Sequence, residues 1–347
     1  MACQAGCCSR MNRRHYIAAI ERQTRVAMAV YTEVSDADVT AFVAQYDIGD
    51  VQSCKGIAEG IENSNFLLTT DQGPFILTLY EKRVKRQDLP FYLGLMRHLS
   101  NKGIPCPTPI IDRQGHMQAE LCNRPAAIVS FRQGMWPRRA TPGNCAALGA
   151  AMARMHLAGD HFPLNRDNDL SLSSWRPLLD ASRRRVDEVQ QGLAEELDGR
   201  LDALEAEWPS NLPTGVIHAD LFPDNVFFRG DKLTGLIDFY FACTDFFVYD
   251  LAICLNAWCF EVAGDFNITK ARRLLAGYVS IRPLSGAELN ALPILARGAA
   301  MRFLLTRLYD WLFTPEGALV TRKDPLEYLK RLRFHGGVQS ASEYGLD

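Results

Sequence analysis

The chain has 347 residues, 48% hydrophobic and 22% charged, with a formal net charge of −2. That length suits one large domain or two lobes with an ample core. The near-neutral balance gives no electrostatic reason to bind nucleic acid or an anionic membrane, and no apolar run reaches the about 18 residues of a membrane span.

Residues 1–27 stand apart, with five Arg against one Glu and three of the ten cysteines. They lack the apolar centre of a secretory signal. A transit peptide and a start-site extension both fit. The extension is preferred, because Met28 opens MAVYTEVSDADVTAF, a natural start with a helix cap at Ser35 or Asp36. The leader is expected to be disordered. The cysteines are scattered, with no CxxC pair and no zinc spacing. They read as buried reduced thiols of a cytoplasmic protein.

VSDADVTAFVAQY (34–46) reads as a short capped helix, and residues 54–82 as two strands around a turn at Asp71–Gly73. DLPFYLGLMRHLSNKGI (88–104) is an amphipathic helix ending near Gly103. PCPTP is a rigid link, and residues 116–131 read as two strands turning near Asn123–Pro125. From there the pattern is helical: 144–159, then 174–208 with a break inside. After the interruption at 216–238 come YDLAICLNAWCFEV, KARRLLAGYVSI, ELNALPILARGAAMRFLLTRLYDWLF and PLEYLKRLRFH. The layout is α+β: a small β-rich N-terminal lobe (28–131) and a larger, mainly helical C-terminal lobe (132–347), with a hinge near 130–136.

VIHADLFPDNVFF (216–228) begins and ends as strand, yet places His218, Asp220, Asp224 and Asn225 in its middle. It reads as a hairpin with a polar loop. The following strand, KLTGLIDF, ends at Asp238. Phosphoryl transfer to an alcohol needs this set of groups. One carboxylate must reach the attacking hydroxyl, and an amide oxygen and a second carboxylate must hold Mg²⁺ against nucleotide phosphates. Asp, Pro and Asn also build ordinary turns. The strand–loop–strand–turn–strand–Asp context favours catalysis.

HADLFPDN, LIDFYFACTDFFVYDLA and LGAAMARMHL resemble the aminoglycoside-phosphotransferase/choline-kinase superfamily, which has the bilobal protein-kinase-like fold. MAVYTEVSDADVTAFVAQYDIG, SCKGIAEGIENSNFLLTT, GPFILTLYEKRV, LPFYLGLMRHL, GIPCPTP and NRPAAIVSF resemble its bacterial homoserine kinase branch, so the resemblance spans about 28–320. It implies transfer of the γ-phosphate of ATP to the side-chain hydroxyl of L-homoserine, a step toward threonine, with Mg²⁺ as cofactor and no obligate protein partner. Asp220 would be the base, Asn225 and Asp238 the Mg²⁺ ligands, and His218 a brace of the catalytic loop. Asp250 would cap its helix and tie down the loop.

GIAEGIENSNF (56–66), with Gly56, Gly60 and Ser64, stands where a phosphate-covering loop would lie. IVSFRQG, with Ser130 and Phe131, would read adenine. The superfamily's strand Lys is replaced by Thr78, and the next helix offers no Glu partner. Lys82, on the same strand face by alternation, is either its substitute or an exposed strand-end residue. Asp245 either faces substrate or sits in a turn.

In the long helix, Leu304, Leu305, Leu308 and Leu312 form the core stripe, while Arg302 shares another with Gly298, Thr306, Tyr309 and Phe313. Arg302 either reads the substrate carboxylate or pairs structurally with an acid. Arg307 is expected to point toward solvent and Arg297 toward the core. The rival readings are kinase action on choline, an amino sugar or methylthioribose, and a nucleotide-binding regulator without turnover. Trp258, Phe260, Tyr309 and Trp311 are the aromatics a choline cage would use.

Overall fold

The computed structural model describes residues 32–57, 63–81, 84–314 and 322–346. The leader, Gly60 and Lys82 lie outside the described residues. Helix α1 (Asp36–Val43) starts at Ser35, whose side chain accepts the amide of Asp38. Strands β1 (Val51–Ile57), β2 (Asn63–Thr70), β3 (Gly73–Tyr80), β4 (Ala119–Leu121) and β5 (Arg124–Ser130) follow, with α2 (Leu89–Asn101) between β3 and β4. They form an antiparallel sheet in the order β1-β2-β3-β5-β4. Three strands rather than two therefore occupy the segment around 54–82.

Alternation gives this sheet two different faces. Leu77, Leu79 and Leu68 join Val39 and Phe42 of α1 in a small core. The opposite face turns Tyr80 into the main core with α2 and the helical part. The expected boundary at 131/132 falls in the link between β5 and the next helix.

That helix, α3 (Pro142–Ala158), opens with a capping box at Thr141. Next are α4 (Leu172–Ser182) and α5 (Leu193–Glu207), so the break in the expected helix 174–208 covers 183–192. Helices α6 (Phe247–Trp258), α7 (Ile268–Val279), α8 (Gly286–Phe313) and α9 (Leu326–Gly337) complete the helical part. Glycines set one close contact. A Cβ on Gly149 of α3 would come within 2.0 Å of the Leu274 carbonyl, and one on Gly277 of α7 within 2.2 Å of the Ala146 carbonyl.

Strands β6 (Thr214–Ile217), β7 (Val226–Arg229), β8 (Lys232–Leu236) and β9 (Cys243–Phe246) form two separate ladders, β6 with β9 and β7 with β8. The polar stretch is therefore not the tip of a hairpin, as the sequence suggested. It links strands of two different sheets, because β9 takes the ladder that β7 was expected to fill. Among the described residues, no helix is long and apolar enough to cross a membrane. The seven described cysteines form no disulfide, and five of them are buried.

Candidate active site

The linking loop is fixed from beneath by a buried carboxylate. Asp250, in the first turn of α6, accepts the amides of His218 and Ala219, each at 2.9 Å, and lies 3.2 Å from His156 Nε2. His156 Nδ1 in turn meets the Tyr278 hydroxyl at 2.8 Å. Burial opposes the charge on Asp250, but hydrogen bonds from His156 and from the His218 amide outweigh it and hold the carboxyl below its usual range. Asp250 thus ties down the loop, while the expected cap on its own helix is absent, the N-cap being Phe246 with no side-chain cap bond.

His218 is buried and donates Nε2–H to the Ile237 carbonyl at 3.0 Å. Burial pushes its pKa down to about 4, so the ring is neutral at physiological pH. It braces the loop against Ile237, just past β8, and is not among the residues lining the cleft.

Ala219 holds a left-handed backbone, φ +61°. Such a conformation at a non-glycine residue persists where its surroundings over-determine it. Here its amide is held by Asp250, and its carbonyl accepts Arg302 Nη1–H at 2.8 Å. Asp220 follows directly and lines a cleft of about 1980 Å³. Asn225 Nδ2 donates to the Asp220 carbonyl at 2.8 Å and to Asp220 Oδ2 at 3.0 Å. The Ile237 amide donates to the Asn225 carbonyl at 3.0 Å, which carries β8 to the same point and delivers Asp238. Asp238 also has a positive φ, +63°, and heads the turn Phe239–Phe241. Asp220, Asn225 and Asp238 therefore share one cleft wall.

Asp245 lies in β9, not in a turn, and lines the cleft. Burial raises its pKa, against the Asn168 side-chain amide at 2.7 Å and the Phe246 amide. The Asn168 loop, which carries Arg166 and Asp169 beside Asp88, went unnoticed in the sequence. Its polar residues look like any turn until the cleft is assembled.

Helix α8 keeps its Leu stripe buried and presents Arg302, Thr306 and Tyr309 to the cleft. The Arg302 guanidinium is 1% exposed and lies 4.6 Å from the Phe303 ring, with Nε lacking a hydrogen-bond partner. Arg307 does not point to solvent. It pairs with Glu327 at 2.6 Å and lies over the Tyr328 ring. Arg297 pairs with Glu207 at 3.3 Å rather than entering the core.

On the sheet side the expected nucleotide residues that are described, Gly56, Ser64, Ser130 and Phe131, are not brought together. Gly56 is an exposed β1 residue opposite Phe66. Ser64 faces the α1 side of the sheet and donates to Glu81 Oε1 at 2.9 Å, because alternation aligns it with Leu79 and not with Thr78. The Ser130 amide donates to the Thr108 carbonyl and its hydroxyl oxygen accepts the Thr108 amide, at 2.9 Å each, so the Ser130 amide is already engaged. Phe131 is half-exposed beside them. Thr78 is buried and donates to Asn65 Oδ1 at 2.8 Å.

A model of the phosphotransferase enzyme family matches residues 53–284. The chain is 63% identical over 326 residues to a homoserine kinase of Paramagnetospirillum magneticum, covering 92% of this chain and all of that one. It is also 63% identical over 319 residues to a homoserine kinase of Rhodospirillum rubrum, covering 92% and 99%. An amicoumacin kinase solved with AMP-PNP, Ca²⁺ and Ami superposes with TM-score 0.68 at 17% identity, covering 88% and 94% of the two chains. A choline kinase of Cryptosporidium parvum superposes at 0.60 with 15% identity, covering 92% and 94%. These two share the fold.

Proposed function

The chain belongs to the phosphotransferase enzyme family and stands with its homoserine kinases, and from that premise we propose that it transfers the γ-phosphate of ATP to the side-chain hydroxyl of L-homoserine in the cytoplasm. One observation carries the chemistry. Asp220, Asn225 and Asp238 line one wall on a loop held from both sides by the buried charges of Asp250 and Arg302. Phosphoryl transfer depends mostly on such positioning.

Asp220 orients the acceptor hydroxyl and takes its proton. The Asn225 amide restrains one Asp220 oxygen, which sets the direction of the other. Asp238 and the Asn225 side-chain oxygen would hold Mg²⁺. Their donor chemistry fits, since Mg²⁺ takes hard oxygen ligands and completes its shell with phosphate and water. The Asn225 nitrogen is engaged by Asp220, which turns its oxygen end away from that carboxylate. Among the described residues there is no cluster of three or more His, Cys, Asp or Glu that could hold a metal without substrate. When bound, the ion neutralises charge on the transferring phosphate.

Arg302, buried on the cleft wall with an unpartnered Nε, reads the substrate carboxylate, and Asp245 faces the amine. Tyr309 contributes to the same wall. An aromatic cage for choline finds less support. Trp258 is 1% exposed with its indole N–H on the Leu221 carbonyl, and Trp311 is not in the cleft lining. Coupled ADP release with Mg²⁺·ATP over homoserine, choline, an aminoglycoside and methylthioribose tests the assignment. Release with homoserine alone is expected. Release with another alcohol and none with homoserine would replace the substrate, and none with any would favour a non-catalytic nucleotide binder.

A further inference from the structure

The cleft-side face of the N-terminal sheet carries neutral polar groups that the reaction above does not use. Tyr80, the last residue of β3, is fully buried, and its hydroxyl lies 3.1 Å from that of Tyr240. Tyr240 is two residues beyond Asp238 in the turn Phe239–Phe241, and it lines the cleft. The rings meet edge-on at 5.4 Å and 78°. Tyr92 of α2 packs edge-on against Tyr240 at 5.7 Å, and the Arg166 guanidinium lies 5.2 Å from the Tyr92 ring. The N-terminal part thus grips Tyr240 from β3 and from α2, while the backbone of Tyr240 belongs to the turn that Asp238 heads.

Asp238 needs such a grip. Its left-handed φ of +63° has no glycine to relieve it, and strain of this kind persists only when neighbours over-determine the backbone. The amide ladder reaches it from one side, through the Ile237 amide on the Asn225 carbonyl. On the other side the turn is held by Phe239, buried against the His218 ring at 4.5 Å, and by the tyrosine pair. A hydroxyl–hydroxyl bond crosses here from the sheet to the turn, two residues along β3 from Thr78, which stands in place of the superfamily's strand Lys.

We propose that Tyr80 and Tyr240 form a latch between the sheet and the Asp238 turn, a positioning pair that sets the metal-bearing carboxylate against the nucleotide phosphates. The latch rests on the kinase reading. It makes the two hydroxyls one unit across the gap between sheet and turn, since the bond between them needs both.

The test is calorimetric titration of Mg²⁺·AMP-PNP into the wild type, Tyr80→Phe, Tyr240→Phe and the double variant, with homoserine KM measured alongside. Each single change should weaken nucleotide binding about 3- to 10-fold, the size of one neutral hydrogen bond. The double variant should be no weaker than the worse single one, because the same bond is removed. It also leaves neither hydroxyl orphaned, so it stays readable if a single variant melts early. Homoserine KM should not move, which general loosening of the fold would not permit. Wild-type affinity in both single variants, or losses that multiply in the double, would overturn the latch. No binding by the wild type itself would overturn the kinase reading and the latch together.

Discussion

The two walls of the cleft are built on different physics. On the helical side the catalytic loop is held by buried charge: Asp250 on two backbone amides and His156, and Arg302 on the Ala219 carbonyl. On the sheet side the contacts of the β3 residues turned toward Tyr240 are neutral: Thr78 to Asn65, and Tyr80 to Tyr240. Charged hydrogen bonds in a low-dielectric interior are stronger than neutral ones, and losing one partner leaves a costly orphan. The helical wall should therefore tolerate little change. The sheet wall should give graded responses.

The largest effect expected on the helical wall is chemical. Asp220→Asn keeps the shape of the loop but removes the proton acceptor, so turnover should fall about 10²- to 10⁴-fold with melting temperature and nucleotide affinity nearly unchanged. Near-normal turnover would show that this wall does not carry the chemistry.

Next comes stability. Asp250→Ala strands two backbone amides and His156 in the core at once. It should lower folding stability by roughly 3–5 kcal/mol, the usual result of breaking a buried charged network, read by urea unfolding. A loss no greater than that of Tyr240→Phe would erase the contrast between the walls.

Acid should also act on the helical part. Burial lowers the pKa of His218 to about 4, and that of His335, inside α9, to about 3. Between about 6.5 and those values the unfolded chain binds protons that the folded chain refuses. The stability present above pH 6.5 is thus lost as pH falls, first through about 4 and then toward 3. His335→Gln should roughly halve the share of that decline due to the two rings between about pH 6.5 and 4 and remove its part from about 4 to 3 in a calorimetric pH series. Melting that is flat from pH 7 to 4 would contradict the burial of both rings.

The walls also differ in how much of them the sequence displays. Asp220, Asn225 and Asp238 are adjacent through local chain geometry, so their spacing was enough to group them. The Leu stripe of α8 was readable for the same reason, since helical period is a local property. What failed was long-range. β9 is four residues with no alternation to announce it, so nothing local said that it would take β6 from β7. Asp250 and His156 are 94 residues apart, and Tyr80 and Tyr240 are 160 apart; no spacing rule joins them. Ser64 is different. Its place opposite Leu79 puts it on the α1 face, and alternation along β2 and β3 held that information.

The smallest effect separates two duties of one side chain. Arg302 Nη1 holds the Ala219 carbonyl, and Nε on the same guanidinium has no hydrogen-bond partner. Arg302→Lys keeps the positive charge and can still reach one acceptor, but it has no second donor held in a fork. If the loop has first claim on that donor, the substrate carboxylate loses its partner. KM for homoserine should then rise about 10-fold, the value of one charged hydrogen bond, while KM for ATP stays level. A fall in kcat with both KM values unmoved would mean that the guanidinium serves only Ala219. The substrate carboxylate would then be read elsewhere on the wall, with Lys323, beside the Phe222 ring, the next cation to test.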